Sequence, residues 1–304
     1  MKRDLLSILD LSTAELHGIV DSAIHLKALR IAGTDHSLPR KCALGMIFEK
    51  ASTRTRTSFE VGMFELGGHA LFMNPDDMQL GRGEEVRDTA RVLSRYLSLI
   101  MIRSYRHETA VELAKYADIP VINGLSDKEH PCQILADIMT MKETFGTTEG
   151  LRVAYVGDSN NVCNSLLLAA PMAGYSMAVA SPDGFQPKEE ILNEADCVNA
   201  RYEICTSPEK AVSGADVIYT DTWTSMGSEN EHDARLRSFA GFTVDDALMQ
   251  NAADGVKVMH CLPAHRGEEI SAAVMDGPAS IVWDQAENRL HAQKALLTML
   301  LGIK

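Results

Sequence analysis

Residues 43–57 read Ala43-Leu44-Gly45-Met46-Ile47-Phe48-Glu49-Lys50-Ala51-Ser52-Thr53-Arg54-Thr55-Arg56-Thr57. The stretch from Ala43 to Glu49 is a short apolar run, as expected of a strand buried on both faces. Lys50 to Thr53 is a polar turn, after which Phe59, Met63 and Leu66 recur on one helical face. Strand, polar turn and helix form the repeating unit of a parallel sheet, so the fold depends on whether that unit recurs.

It recurs in both directions. Upstream, Ser12-Thr13-Ala14-Glu15 is a capping box opening a helix with Leu16, Ile19, Val20, Ala23 and Ile24 at helical spacing. Downstream, residues 70–73, 98–102 and 120–122 read as strands. Residues 84–96, 108–117 and 131–145 read as helices, the last with Pro131 in its permitted first turn. Gly146-Thr147-Thr148-Glu149-Gly150 is a polar break. A second series follows, with strands at 151–156, 176–180, 202–205, 215–219, 256–259 and 281–283. Its helices lie at 162–173 and 187–200, and a long amphipathic helix runs over 285–301. The pattern predicts an α/β chain of two domains, each a mostly parallel sheet covered by helices, with the active site in the interdomain cleft. The domains are expected at residues 1–145 and 146–286, with the C-terminal helix, about 287–304, packing back onto the first.

Composition agrees with that picture and removes other classes. A length of 304 residues suits two cores, since one rarely grows past about 250 to 300 residues. A hydrophobic fraction of 45% with 23% charged residues gives no case for disorder. No apolar stretch is long enough for a membrane span, and the N-terminal MKRDLLSILD has no apolar signal core. Cys42, Cys132, Cys163, Cys197, Cys205 and Cys261 are too sparse for a disulfide scaffold, so a reducing, cytoplasmic setting is expected. A net charge of −13 argues against a nucleic-acid partner. The charge is uneven: residues 1–150 hold 18 lysines and arginines against 21 acids, residues 151–304 only 11 against 21. If the chain binds a small anion, the first half is the better place for it.

Five junctions after strands carry polar residues that a core does not need, in the place where open α/β sheets bind ligands. Ser52-Thr53-Arg54-Thr55-Arg56-Thr57 sets hydroxyls and guanidiniums at a helix N-terminus, which suits a phosphate-like dianion; the plain alternative is a well-capped, solvated helix. Arg103 ends a strand near Arg106 and His107, a weak signal taken alone. His130 opens the segment His130-Pro131-Cys132-Gln133, where a helix N-terminus keeps imidazole neutral and able to donate to a carbonyl oxygen; a structural histidine is equally compatible. Asp221-Thr222-Trp223-Thr224-Ser225-Met226-Gly227 could grip an α-amino acid, with Asp221 facing its ammonium, or could cap a turn while Trp223 fills core. His260-Cys261-Leu262-Pro263-Ala264-His265-Arg266-Gly267 invites a zinc reading, but no second Cys or His pair has ligand spacing. Gly157-Asp158-Ser159-Asn160-Asn161 starts like a nucleotide-binding turn but lacks G-x-G-x-x-G.

Taken in order, the segments F-E-K-A-S-T-R-T-R-T-S-F-E, H-P-C-Q, D-T-W-T-S-M-G and H-C-L-P-A-H-R-G resemble the aspartate/ornithine carbamoyltransferase family. They span residues 48–267, and the similar layout covers essentially the whole chain. Asp221 with Ser225-Met226-Gly227, together with His260-Cys261-Leu262-Pro263, points to the ornithine branch over the aspartate branch. The resemblance implies transfer of a carbamoyl group from carbamoyl phosphate to the δ-amine of L-ornithine, with no metal or organic cofactor. It also implies roles residue by residue. Ser52, Thr53, Arg54 and Thr55 would hold the phosphate, joined by Arg103. Thr55, Arg103, His130 and Gln133 would surround the carbamoyl end, with Pro131 and Cys132 in the same segment. Cys261 and Leu262 would lie where amine meets carbonyl, and Arg289 would approach carbamoyl phosphate. Asn161, Asp221, Ser225 and Met226 would hold ornithine. Gln79 matches a position that reaches a neighbouring subunit's site, so a homotrimer or a multiple of trimers is implied. Cys132 occupies the variable position of H-P-x-Q, and His265 is a local variation. Competing expectations are a sister enzyme accepting aspartate, putrescine or an acylated ornithine, a noncatalytic ligand-binding relative, and a nucleotide-dependent enzyme.

Overall fold

The computed structural model describes residues 2–79, 83–224 and 232–302. It divides into two compact units, residues 1–139 with 287–304, and residues 140–286. Both dividing points fall inside helices.

Unit 1 is built from α1 (Thr13–Ile31), β1 (Ala43–Phe48), α2 (Thr53–Glu65), β2 (His69–Met73), α3 (Val86–Leu93), β3 (Leu99–Arg103), α4 (His107–Tyr116), β4 (Val121–Leu125) and the first part of α5 (Pro131–Phe145). Its four strands are all parallel, in the order β2-β1-β3-β4. β1 and β3 are almost wholly buried, which explains their unbroken apolar sequences. β2 forms an edge with Leu71 and Phe72 exposed. The other edge, β4, is covered by the N-terminal segment. Leu5 N–H donates to the Val121 carbonyl (2.9 Å), and Asn123 N–H donates to Leu5 (2.7 Å).

Unit 2 continues with β5 (Arg152–Val156), α6 (Asn161–Ala173), β6 (Ser176–Ala180), α7 (Glu189–Cys197), β7 (Tyr202–Cys205), α8 (Pro208–Val212), β8 (Val217–Thr220), α9 (His232–Ser238), α10 (Asp246–Met249), β9 (Lys257–His260) and α11 (Ala272–Met275). Its five strands, again all parallel, run β7-β6-β5-β8-β9. α12 (Val282–Leu300) closes the chain.

The expected strand at 281–283 is absent. Ser280 makes a single bridge to Val258, and Ile281 N–H donates to the Val258 carbonyl (3.0 Å). The Ile281 carbonyl already accepts from Gln285 N–H (3.0 Å), so the chain coils at once into α12 and leaves Trp283 exposed. A three-residue apolar run cannot distinguish these outcomes. α12 is also less amphipathic than its pattern suggests. Asn288, Arg289, His291, Gln293 and Lys294 are all buried, paired in part by Lys27 to Asn288 (2.9 Å) and by Lys294 to Glu65 (2.6 Å). Among the described residues no helix is long and apolar enough to cross a membrane, and no disulfide is present.

The strand orders settle where each sheet is most open. In unit 1 the chain leaves β1 toward β2 on one side and returns to β3 on the other; in unit 2 it does the same from β5, with β6 on one side and β8 on the other. At such switch points the loops beyond the strand carboxyl ends part and leave a crevice. The flanking loops are those after β1 and β3, and those after β5 and β8. They carry three of the five polar segments, those at Ser52, Arg103 and Asp221, or their first residues, together with the glycine turn after β5; the His130 segment follows β4 and the His260 segment follows β9.

Candidate active site

In unit 1, Ser52 is the N-cap of α2, its Oγ accepting from Thr55 N–H (3.2 Å). The capping alternative is therefore correct as local structure. It does not exclude ligand binding, because a capping hydroxyl still has its own proton to donate. Thr53 is exposed and Arg54 half-buried at the same N-terminus, whereas Thr55 is buried. Arg103 ends β3, paired in register with Phe48 of β1, and is 9% exposed. Its carbonyl accepts from Glu49 N–H (2.9 Å), which locks the ends of the two strands together.

His130 and Arg289 complete the cluster. His130 is buried just before Pro131, the first residue of α5. Burial, and after it the charges of Arg289, Arg103 and Arg54, hold its imidazole well below the usual histidine value. The ring is neutral, as the sequence implied, although burial rather than the helix terminus is the first cause. Arg289 comes from α12 and is 3% exposed. Its Nη1 donates to Gln133 Oε1 (2.5 Å) and its Nη2 to Thr55 Oγ1 (3.3 Å). Gln133 Nε2 in turn donates to the buried Asp137 (2.8 Å). Three guanidiniums thus face one neutral imidazole at an α-helix N-terminus, a field that favours a multiply charged anion.

Other expected residues stand apart or add to this cluster. The Cys132 thiol is buried, donates toward the Asn123 carbonyl (3.5 Å) and is pushed up to about 12, so only its backbone is suited to a polar ligand. Gln79 is exposed in the loop after β2, its carbonyl accepting from Glu84 N–H (3.0 Å). Lys50, given no role by the sequence reading, lies over the Tyr105 ring at 4.6 Å. Burial, then Arg103, lowers its ammonium pKa. Its place inside the F-E-K-A-S-T-R segment was the signal that could have found it.

In unit 2, Gly157 follows β5 with φ at +141°, a conformation that side-chain-bearing residues rarely adopt, and the chain turns through Asp158 to Asn160. Asn160 is the N-cap of α6 and Asn161 its first residue, half-buried. Across the switch point, Asp221 follows β8 and is 8% exposed. Its Oδ2 accepts from Asn160 Nδ2 (2.6 Å) and its Oδ1 from Thr222 N–H (2.8 Å). Asp158 pairs with Arg235 at 2.7 Å, and Arg235 also reaches the Trp223 carbonyl (2.6 Å). Trp223 is buried and stacks on Phe239 at 5.1 Å, so it fills core. Ser225 and Met226, with Gly227, lie outside the described residues.

After β9, buried His260 braces the turn that follows. Its Nδ1 accepts from Leu262 N–H (2.8 Å), so Nε2 carries the proton and donates to Glu269 Oε1 (3.0 Å). Gln285 Oε1 accepts from His260 N–H (2.9 Å), and its amide donates to Tyr219 (3.0 Å). Leu262 is held at φ +60°, an uncommon conformation for a branched side chain and of the kind found at functional sites. Cys261 is half-buried, and its sulfur, a carboxylate oxygen of Asp221 and a ring nitrogen of His260 lie within 4.8 Å of one another. That spacing could suit a metal, as could the group His265, Glu268 and Glu269. The ring nitrogens of His260 are both committed to protein partners, however, and Glu269 already accepts from His265 N–H (2.6 Å) as well. The first group therefore has no free imidazole nitrogen to offer a metal.

Comparison with known proteins bears on both units. Residues 3–143 match the carbamoyl-P binding domain of the aspartate/ornithine carbamoyltransferase family, and residues 149–300 match its Asp/Orn binding domain. An ornithine carbamoyltransferase from Methanoculleus marisnigri is 60% identical over 302 residues, covering 99% of this chain and 98% of that protein. Among solved structures, the ornithine carbamoyltransferase of Pyrococcus furiosus is 51% identical with a TM-score of 0.95, covering 100% of this chain and 98% of that one. The ornithine transcarbamoylase of Giardia lamblia is 35% identical with a TM-score of 0.89, covering 99% and 98%.

Proposed function

The chain belongs to the aspartate/ornithine carbamoyltransferase family, and from that premise we propose that it transfers the carbamoyl group of carbamoyl phosphate to the δ-amine of L-ornithine, giving L-citrulline and phosphate. The observation that carries the reading to individual residues is the set of three guanidiniums, Arg54, Arg103 and Arg289, whose charges act on neutral, buried His130.

Carbamoyl phosphate has a charged and a neutral end. Its phosphate is assigned to Ser52, Thr53, Arg54, Thr55 and Arg103 at the start of α2, where first-turn N–H groups and the helix dipole add to the cationic field. Its carbamoyl end is assigned to His130, Gln133, Arg103 and Thr55, with Arg289 holding Gln133 and Thr55 in place. A neutral imidazole fits that task, since it donates to a carbonyl oxygen without competing for the phosphate. Ornithine is assigned to unit 2, with Asp221 receiving an ammonium, Asn161 and the segment of Ser225 and Met226 holding the amino-acid end, and Cys261 with the Leu262 backbone beside the reacting amine.

In the reaction the amine nitrogen bonds to the carbonyl carbon, and the bond from that carbon to the phosphate oxygen breaks. Charge builds on the carbonyl oxygen, where each fixed donor typically lowers the barrier by about 3 to 4 kcal/mol. The amine nitrogen loses a proton on forming the amide. Asp221, Cys261 and the departing phosphate are the groups suited to take it. A free δ-amine resembles lysine, with a pKa of about 10.4, so its neutral form must be selected or generated on binding. Holding both substrates in reacting geometry supplies roughly 7 to 11 kcal/mol, so no strong base is required.

We also assign residues 1–145 with the C-terminal helix to carbamoyl phosphate and 146–286 to ornithine, and a cytoplasmic homotrimer or multiple of trimers as the working form. Support for assembly comes from the open edge strand β2, with Leu71 and Phe72 exposed, from the exposed Phe64 of α2, and from the family position of Gln79. Purified protein supplied with carbamoyl phosphate and, in separate reactions, ornithine, aspartate, putrescine or N-acetylornithine tests the activity. Citrulline should form with ornithine at a rate far above the other products. Preference for any other amine, or no carbamoylated product, would overturn the assignment.

A further inference from the structure

Asn160 lies at the switch point of unit 2 and uses the two ends of its amide differently. Its Oδ1 accepts from Val162 N–H (2.9 Å), Cys163 N–H (3.3 Å) and the Tyr155 hydroxyl (3.3 Å). Because the Val162 and Cys163 N–H groups can only donate, the amide nitrogen must point the other way, where it donates to Asp221 Oδ2 (2.6 Å). One side chain therefore caps α6 and spans from the loop after β5 to the loop after β8. Thr222 N–H holds the second carboxylate oxygen (2.8 Å), so the plane of the Asp221 carboxylate is fixed from two directions.

We propose that Asn160 is a positioning residue for Asp221, orienting its carboxylate toward the substrate ammonium while leaving its negative charge intact. The inference rests on the reading of Asp221 as an ornithine ligand. A lysine or arginine in this position would orient the carboxylate equally well but would cancel its charge and compete with the ammonium. An amide supplies the donor without the charge. Around Asp221 the other ionisable groups are Cys261 and His260 after β9, Asp158 in the β5 loop, already paired to Arg235, and the Tyr155 hydroxyl. Within that set Asn160 is the neutral donor on the carboxylate, and it adjoins Asn161 at the head of α6.

Two substitutions separate this role from helix capping, because serine and aspartate cap about as well as asparagine. In Asn160→Ser the cap remains and the donor to Asp221 is lost. KM for ornithine should rise about tenfold or more, with little change in thermal unfolding or in carbamoyl phosphate binding measured by calorimetry. In Asn160→Asp the cap remains but a second carboxyl group faces Asp221. The pair should share one proton and lose it as pH rises, adding to the pH profile of kcat/KM for ornithine an ionisation that wild type and Asn160→Ser lack. An unchanged KM in Asn160→Ser, or an Asn160→Asp profile superimposable on wild type, would overturn the inference. Failure of the wild-type protein to carbamoylate ornithine would instead overturn the reading beneath it, so the two failures are distinguishable.

Discussion

In unit 1, the loops after β1 and β3 gather Arg54 and Arg103 with Arg289 from α12 around an imidazole kept neutral. In unit 2, the loops after β5 and β8 gather Asn160 and Asp221, with Cys261 following β9. The scaffolds are alike: both are parallel sheets with a switch point and a helix N-terminus aimed at it. A helix N-terminus favours anions in both. Unit 1 reinforces that field with three guanidiniums and suits a phosphate. Unit 2 opposes it with a carboxylate whose charge its hydrogen-bond partners leave uncancelled, and suits an ammonium. In the proposed assignment, geometry sets where a ligand can bind, and a few charged side chains set which ligand suits the place.

The contrast is broken most severely by removing a cation from unit 1. Arg54→Ala should lower kcat/KM for carbamoyl phosphate by roughly 10³-fold, near the upper range for loss of one transition-state donor. Arg54 is only half-buried, so thermal unfolding should barely move; turnover that survives unaltered would refute the phosphate assignment. In unit 2, Asp221→Asn should cut kcat/KM for ornithine by roughly 10²-fold, as expected for one charged hydrogen bond, and leave carbamoyl phosphate binding intact. Equal losses for both substrates would show that the two units do not divide the substrates as proposed.

Arg289→Met sharpens the account of His130. It strips Gln133 and Thr55 of their shared donor and should cost about 2 to 3 kcal/mol in chemical denaturation. It also removes the largest charge acting on His130, so the imidazole pKa, followed by NMR, should move up toward its ordinary value while burial still holds it low. No movement would place Arg289 outside the cluster.

The depressed histidines fix a sign for pH dependence. Folded His130 stays neutral well below 6.5, and His291, buried and beside Lys294, is lowered to about 4. Below about 6.5 the unfolded chain binds protons that the folded chain refuses, so stability falls with pH there, by at most about 1.4 kcal/mol per pH unit for each histidine. Denaturant midpoints that rise on acidification from pH 6.5 to 5 would contradict this.

The smallest effect is expected within the same motif. Arg56 is exposed, pairs with Glu60 (2.9 Å) and lies over the Phe72 ring at 3.9 Å. Arg56→Ala should change carbamoyl phosphate affinity less than about threefold, since exposed pairs contribute little. Calorimetry on Arg54→Ala and Arg56→Ala would show which of two arginines, one helical turn apart at most, faces the ligand.

What could be read from sequence was what is local. Strand, turn and helix at residues 43–65 are encoded by adjacent apolar and capping residues, and the polar segments stood out because nothing in a core requires them. Long-range pairings were invisible. No spacing rule links Arg289 to Gln133, or Asn160 to Asp221, because contacts between distant segments exist only once the strand order is set. The missing strand at 281–283 has the same cause: Val258 offered a single bridge, and the following residues were better satisfied as helix. The glycine turn points to Asn161 alone, because the role of Asn160 exists only through its bond to Asp221, sixty-one residues away.

The central claim is that the turn opening α2 is a cradle for a doubly charged oxyanion. A crystal structure of the protein with a non-hydrolysable phosphonate analogue of carbamoyl phosphate tests it directly. The phosphonate should lie at the N-terminus of α2, within hydrogen-bond distance of the Ser52 and Thr55 hydroxyls and the Arg54 and Arg103 guanidiniums. A phosphonate bound elsewhere, with residues 52–55 left without ligand, would contradict the account.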